Sequence, residues 1–358
     1  LAEVIGSAKN KDYDGFCWKF FDDIKTVQHI NKESKIVNDF SMPTKNNILV
    51  TGGAGFIGSH LVDSLIEEGN RITIFDNLSS GKIEFIENHL ENTDVIFIKG
   101  DILDNEVIER ACRDVDLVCH VAANPDVRLG SSDTKVHFDQ NILATYNLLE
   151  AMRKNSIKKI AFTSTSTIYG EAHIMPTPEN YGPLMPISLY GASKLSCEAL
   201  ITSYCHTFDM QAWIFRFANI VGPCSTHGII VDFIRKLREN PTQLEILGDG
   251  KQEKSYLHVS ECINSILFAI EKSKEDVNIF NIGSEDTISA TGIGKIIAEE
   301  MELSDIKFIY TGGSRGWKGD VPRMRLDIEK IKAIGWKPAY TSDKSVRETA
   351  RALIKRVS

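Results

Sequence analysis

From Asn46 onward, short apolar runs alternate with longer stretches in which apolar side chains recur every three or four positions. Asn47-Ile48-Leu49-Val50 is the first run; glycines follow it, then a helical pattern through Glu68 that Gly69 ends. Arg71–Phe75 is the next run, and others fall at Val95–Lys99, Leu117–Val121, Lys159–Thr163 and Ala212–Phe217. Helical patterns separate them, among them Gln140–Arg153 and Leu189–His206. Strands that are apolar throughout and alternate with helices belong to a parallel sheet covered on both faces. Right-handed crossovers then give a doubly wound α/β fold of the Rossmann kind.

Beyond Phe217 the alternation breaks up. Phe233–Glu239 predicts a helix, and Glu245-Ile246-Leu247 a short strand before Gly248-Asp249-Gly250, which is expected to be a hairpin turn rather than a ligand contact. Ile279–Ile282 predicts one more strand of the main sheet, and the remainder, with Thr311-Gly312-Gly313 and Gly319–Pro322, is expected to be turn-rich. The expected organisation is a cofactor domain over residues 46–220, with a return around 252–285, and a smaller C-terminal substrate-binding lobe from 221–251 and 286–358. Ligand clefts lie between such lobes. Residues 1–45 differ: Phe16, Phe20 and Ile24 are spaced as in a short amphipathic helix. They are expected to be an extension appended to the core, with Met42 marking the start of the working fold.

The net charge of -8 removes any global attraction for nucleic acid or anionic lipid, so an anionic ligand must be met by local donors. No apolar run approaches the roughly 18 residues of a membrane span, and the first thirty residues show no signal-peptide pattern. Seven scattered cysteines without a Cys-x-x-Cys pair argue against a disulfide framework and for a reducing cytoplasm. The histidines lack ligand spacing, so no metal is expected.

Thr51-Gly52-Gly53-Ala54-Gly55-Phe56-Ile57-Gly58 follows the first strand and opens the first helix. The spacing of Gly52, Gly55 and Gly58 permits a tight turn, close approach to a pyrophosphate and close helix–strand packing. The helix N-terminus, with Phe56 and Ile57 in its first turn, then offers free N–H groups and partial positive charge to phosphates. Asp76 ends the second strand, 18 residues past Gly58. A carboxylate there accepts hydrogen bonds from the ribose hydroxyls of NAD and repels the 2′-phosphate of NADP. Asn77, Leu78 and Ser79 follow without an arginine, so NAD is the expected cofactor. A strand-end carboxylate with a local role is the alternative. Asp101 and Ile102 end the third strand, where an adenine edge can be met. Ala122, Ala123 and Asn124 end the fourth, where small side chains let a cofactor lie close. Asn141 and Thr163 complete the expected cofactor-facing set, with Tyr190 and Lys194.

Tyr190-Gly191-Ala192-Ser193-Lys194 begins a long helix, and residues i and i+4 share a face. A tyrosine with a pKa of about 10 is a poor base at neutral pH. A nearby ammonium and an oxidised nicotinamide both favour its phenolate. Thr165, in Thr163–Gly170 at the carboxyl edge of a strand, adds a hydroxyl, and the three make a hydride-transfer site. The Thr/Ser run also suits a plain strand end.

Taken together, these elements resemble the extended short-chain dehydrogenases/reductases of the NAD-dependent epimerase/dehydratase family, and within it the UDP-glucose 4-epimerase group. The matching stretches are Thr51–Gly58, Asp76, Gly100-Asp101, His120–Ala123, Thr163–Gly170, Tyr190–Lys194, Arg216–Asn219 and Gly222-Pro223. The resemblance implies that Tyr190 removes the proton of the sugar 4-hydroxyl while hydride leaves C4. The 4-keto sugar then swings over and hydride returns to its other face. It further implies that Thr165 bridges the oxygen and Tyr190, and that Lys194 holds the nicotinamide ribose and tunes Tyr190. A UDP-hexose is the implied substrate, with UDP-glucose and UDP-galactose interconverted. Family dehydratases and decarboxylases carry an acid just after the threonine, whereas Ser166 and Thr167 stand here. A 4,6-dehydratase or reductase remains the alternative, with a non-catalytic NAD-binding protein behind it.

For the diphosphate the resemblance points to Asn219, to Lys254 where the family has arginine, and to Arg315, set further from Gly319-Asp320 than in relatives. Lysine supplies a point charge where arginine supplies a fork. Trp317 either stacks on a base or fills the lobe. The helices Gln140–Arg153 and Leu189–His206 pair across a homodimer in resembling enzymes. Leu143, Tyr146, Asn147 and Glu150 are placed on one face, which either a dimer or the core would use.

Overall fold

Strands that are apolar throughout can be buried only if helices cover both faces of the sheet they form. The computed structural model, which describes residues 45–317 and 319–356, has that arrangement. The helix expected around Phe16–Ile24 and the start expected at Met42 lie outside the described residues. The strands are β1 (Asn47–Thr51), β2 (Arg71–Asp76), β3 (Val95–Lys99), β4 (Leu117–His120), β5 (Lys159–Thr165) and β6 (Gln211–Phe217). They continue with β7 (Asn219–Val221), β8 (Gln243–Ile246), β9 (Glu253–Lys254), β10 (Tyr256–His258) and β11 (Val277–Ile282). Seven of them form one sheet in the order β11-β6-β5-β4-β1-β2-β3, with every pairing parallel. The strand order reverses at β1, which pairs with β2 on one side and β4 on the other. A crevice opens at the carboxyl ends of strands at such a point.

Alternate residues of each strand feed opposite layers. Ile48 and Val50 of β1 join Leu61 and Leu65 of helix Phe56–Glu67 and Ile263 and Ile266 of helix Val259–Lys272. Leu49, between them, faces the other layer with Leu148 of helix Ala144–Lys154 and Ile201 of helix Leu189–Phe208. A third apolar cluster brings Phe233 and Leu237 together with Leu244, Ile293, Ile297 and Val346.

Three expectations about local structure need correction. The C-terminal part carries helices Ala290–Glu300 and Ser342–Arg356, so only its middle is turn-rich. Their polar faces, with Glu299 and Glu300 of the first ion-paired to Arg347 and Arg351 of the second, dilute the apolar period. Gly248-Asp249-Gly250 is a turn, but no hairpin. β8 pairs in parallel with β13 (Lys307–Tyr310), while β9 pairs with β12 (Ile288–Ser289) and β14 (Arg323–Met324). Helix Gln140–Arg153 begins as a π-helical turn, Phe138–Leu143, before regular α geometry from Ala144. Asn147 also turns inward, donating from Nδ2 to the Ile102 carbonyl at 3.2 Å, whereas Leu143 and Tyr146 are exposed.

Candidate active site at the sheet crevice

The glycine turn is shaped by contacts that exclude side chains. Gly52 has φ +70°, and a Cβ there would stand 2.7 Å from the Ala122 backbone at the end of β4. A Cβ on Gly58 would lie 2.0 Å from the Gly52 carbonyl oxygen. Gly55 differs: its Cβ would meet only that oxygen, at 3.1 Å, and otherwise point into open space. Gly55 is the N-cap of helix Phe56–Glu67, without a side-chain cap and without an acidic residue in the first turn. The amides of that turn therefore face an unobstructed cradle, the shape and polarity a diphosphate needs. Phe56 and Ile57 pack their side chains on the core, leaving backbone as their contribution.

Asp76 is buried, accepting from the Ala54 amide at 3.0 Å and the Leu78 amide at 2.8 Å. Burial raises its pKa above the usual carboxylate range, and the two amides oppose that rise. Its turn-holding role is thus real, and it lies at the carboxyl end of β2 as a ribose acceptor must. Asn77 donates from Nδ2 to Asp101 at 3.0 Å, which joins the ends of β2 and β3. The Ile102 side chain, in contrast, is buried in the apolar layer and offers the crevice no side-chain contact.

A buried hydrogen-bond path links this turn to the Tyr190 helix. Thr51 Oγ1 meets His120 Nδ1 at 2.8 Å, and His120 Nε2 meets Thr145 Oγ1 at 3.0 Å. Thr145 donates to Cys197 Sγ at 3.2 Å, and Cys197 to the Asn141 carbonyl at 3.4 Å. Asn141 sits in the π turn, where its Oδ1 accepts from the Asn124 amide at 2.8 Å and its Nδ2 donates to Ser193 Oγ at 2.8 Å. Burial pushes the His120 imidazolium down to about 3, so the ring is neutral. Sequence reasoning missed His120, Thr145, Cys197 and Ser193 as positioning residues. The π turn that brings Asn141 between them has no periodic signature.

Thr165, Tyr190 and Lys194 converge. Ser188 caps the helix, its Oγ accepting from the Gly191 amide at 3.0 Å, and so fixes the helix start two residues before Tyr190. Burial pushes the Tyr190 phenol up to about 12, and a hydrogen bond with the Thr165 side chain pulls the other way. Lys194 is 2% exposed and donates to the Thr163 carbonyl at 2.7 Å, with its ammonium 4.5 Å from the Phe162 ring centroid. Burial lowers its pKa to about 8. Thr165 thus favours the phenolate, and Lys194, one helical turn on, is held by the Thr163 carbonyl. The His137 ring stands edge-on to Tyr190, centroids 5.7 Å apart. Beneath the site, Glu198 receives Arg216 at 2.8 Å and Ser164 at 2.5 Å, and Arg216 donates to the Tyr169 hydroxyl at 2.9 Å. This buried pair clamps β5 and β6 to the Tyr190 helix.

Two of the three substrate candidates, Lys254 and Arg315, meet at Asp320, which is 4% exposed. Lys254 donates to its Oδ1 at 2.5 Å, and Arg315 to its carbonyl at 2.8 Å. The second Arg315 nitrogen reaches Glu171 at 2.5 Å. Asn219 donates from Nδ2 to the carbonyl of Ser255, the neighbour of Lys254, at 3.1 Å. Asp320 and Glu171 were absent from the expected set, although Gly319-Asp320 was the anchor used to find Arg315.

Residues 48–283 match the NAD dependent epimerase/dehydratase family. The chain belongs to this family. Its cofactor is NAD, and its fold is the doubly wound one expected. A solved UDP-galactose 4-epimerase is 39% identical, with a TM-score of 0.78 over 87% of this chain and 100% of that one. The Thermotoga maritima UDP-glucose 4-epimerase, solved with UDP-glucose, is 33% identical, with a TM-score of 0.78 over 87% of this chain and 100% of its own. The family's reactions differ, however. A UDP-N-acetyl-alpha-D-glucosaminuronate decarboxylase of Bacillus cytotoxicus is 31% identical over 85% of this chain and 97% of its own. The chain is thus similar to enzymes that act on nucleotide sugars. Among the described residues, no side chains gather as metal ligands would, and no helix is long and apolar enough to cross a membrane.

Proposed function

We propose that the chain is a nucleotide-sugar 4-epimerase that interconverts UDP-glucose and UDP-galactose through a transient 4-keto sugar. The observation that carries this reading is the Thr165–Tyr190 contact beside buried Lys194, with hydroxyl residues Ser166 and Thr167 where an acid would be needed for elimination. Tyr190 takes the proton of the sugar 4-hydroxyl and later returns it, with Thr165 bridging the two oxygens. Lys194 holds the nicotinamide ribose. Asp76 meets the adenosine ribose, and the first-turn amides after Gly55 meet the diphosphate. Bound NAD supplies a cationic ring that accepts hydride and returns it. Asn219, Lys254 and Arg315 hold the sugar nucleotide's phosphates. A dehydratase needs a proton shuttle beside Thr165, and Glu198 is already committed to Arg216 and Ser164.

The test is to incubate the purified protein with UDP-, GDP-, dTDP- and CDP-sugars and resolve the products by NMR. UDP-glucose and UDP-galactose should interconvert without added cofactor, and denaturation should release NAD. A keto sugar that accumulates, or net oxidation of added NADPH, would overturn the assignment. We also propose a homodimer through the face bearing Phe138, Leu143 and Tyr146, exposed by 53%, 36% and 44%. Tyr146→Glu should halve the mass measured by light scattering; an unchanged mass refutes that face.

A further inference from the structure

Arg315 is held by two partners of different kinds, a backbone carbonyl and a carboxylate. Asp320 is internal: its carboxylate accepts from Lys254 and from the Gly316 amide at 3.0 Å, and its carbonyl from Arg315. Glu171 comes from far along the chain and is half exposed, with a side-chain accessibility of 48%. It follows the 3-10 turn Ser166–Tyr169 that Thr165 caps, separated from it by Gly170 alone. Its contact with Arg315 is a short charge-assisted bond, the geometry in which a guanidinium takes a phosphate oxygen. The segment that carries Arg315 begins at Gly312 and Gly313, which have φ of 84° and 83° and open space where a Cβ would stand. Its far end lies by the residues that lead into the Tyr190 helix: a Cβ on Gly319 would lie 3.4 Å from the Ile187 carbonyl and 4.0 Å from Ser188 Cβ.

We propose that Glu171 is an internal competitor for the substrate's diphosphate, and so a specificity-determining residue. It occupies Arg315 until a nucleoside diphosphate takes its place. A ligand must therefore carry enough negative charge to win this exchange, which favours a diphosphate over a monophosphate or a nucleoside. The Asp320 carbonyl keeps its hold on Arg315, and its carboxylate stays with Lys254. This inference rests on the nucleotide-sugar reading above.

The test is calorimetric titration of the full-length NAD-bound protein with UDP, UMP and uridine. The proteins are wild type, Glu171→Gln, Arg315→Gln and the double variant. Because an exposed ion pair is worth little, Glu171→Gln should tighten UDP by about two- to five-fold. Uridine affinity should not change, and the gain should vanish when Arg315 is also replaced. The sign is decisive, since a Glu171 that merely braced this segment would weaken UDP when replaced. UDP affinity that is equal or weaker in Glu171→Gln overturns the inference and leaves the nucleotide-sugar reading standing. A gain that persists in the double variant overturns it also. Absence of UDP binding in all four proteins overturns both.

Discussion

Gly55 and Gly58 belong to one turn, yet alanine at the two positions should fail in different ways. At Gly58 the new Cβ would lie 2.0 Å from the Gly52 oxygen and 2.8 Å from the Gly53 Cα, both backbone atoms. Overpacking of that kind costs about 1–3 kcal/mol. At Gly55 the backbone is extended, with φ -83°, and the Cβ meets only one atom at 3.1 Å. Alanine at a compatible position gains about 0.4–1 kcal/mol through the unfolded state, which offsets that contact. The methyl would instead stand in front of the amides proposed to meet the diphosphate. Loss of one charge-assisted hydrogen bond costs about 1.5–3 kcal/mol, or roughly 10- to 150-fold in NAD affinity. The assay pairs thermal melting of cofactor-stripped protein with titration of NAD. Gly55→Ala should melt like wild type and bind NAD weakly, whereas Gly58→Ala should melt lower. A Gly55→Ala protein that binds NAD as tightly as wild type would refute the amide cradle.

Further predictions concern polar groups of the site and its support. Tyr190→Phe should lose about 100- to 10,000-fold in turnover while keeping its NAD, because proton transfer alone is removed; near-normal turnover by coupled assay refutes the role. Lys194 has a pKa of about 8 in the folded protein, against 10.5 for an unperturbed lysine. Between those values the unfolded chain holds a proton the folded chain has shed, so stability rises with pH across that window. Urea midpoints from pH 7.5 to 10.5 should show that rise in wild type, by roughly 3 kcal/mol relative to Lys194→Met; parallel curves refute it. Glu198→Ala strands the Arg216 guanidinium in the core and should cost about 3–5 kcal/mol in denaturant unfolding. A loss below about 1 kcal/mol would mean that Arg216 finds another partner.

The sheet was legible because its strands are apolar on both faces, so even single-residue disagreements at their ends left the order of elements intact. The glycine turn and Asp76 were legible for a related reason: close approach and a strand-end carboxylate demand particular residue types. The helices Ala290–Glu300 and Ser342–Arg356 escaped because only one stripe of each is apolar and ion pairs occupy the rest. The hairpin expected at Gly248 failed because a turn motif specifies the bend, while the partner of β8 comes from Lys307–Tyr310. The backbone partner of Lys194 was not legible. Spacing puts Lys194 on the face of Tyr190 but says nothing of the Thr163 carbonyl that holds its ammonium.

The path from Thr51 through His120, Thr145 and Cys197 to Asn141 acts as an internal gauge. Its members are spread over β1, β4, the helix that runs on from the π turn and the Tyr190 helix, so sliding one layer past another would break several bonds at once. The gap that separates phosphate cradle from phenol is consequently set before any guest arrives. Burial pushes the His120 pKa down to about 3, so mild acidification does not charge this link in the path.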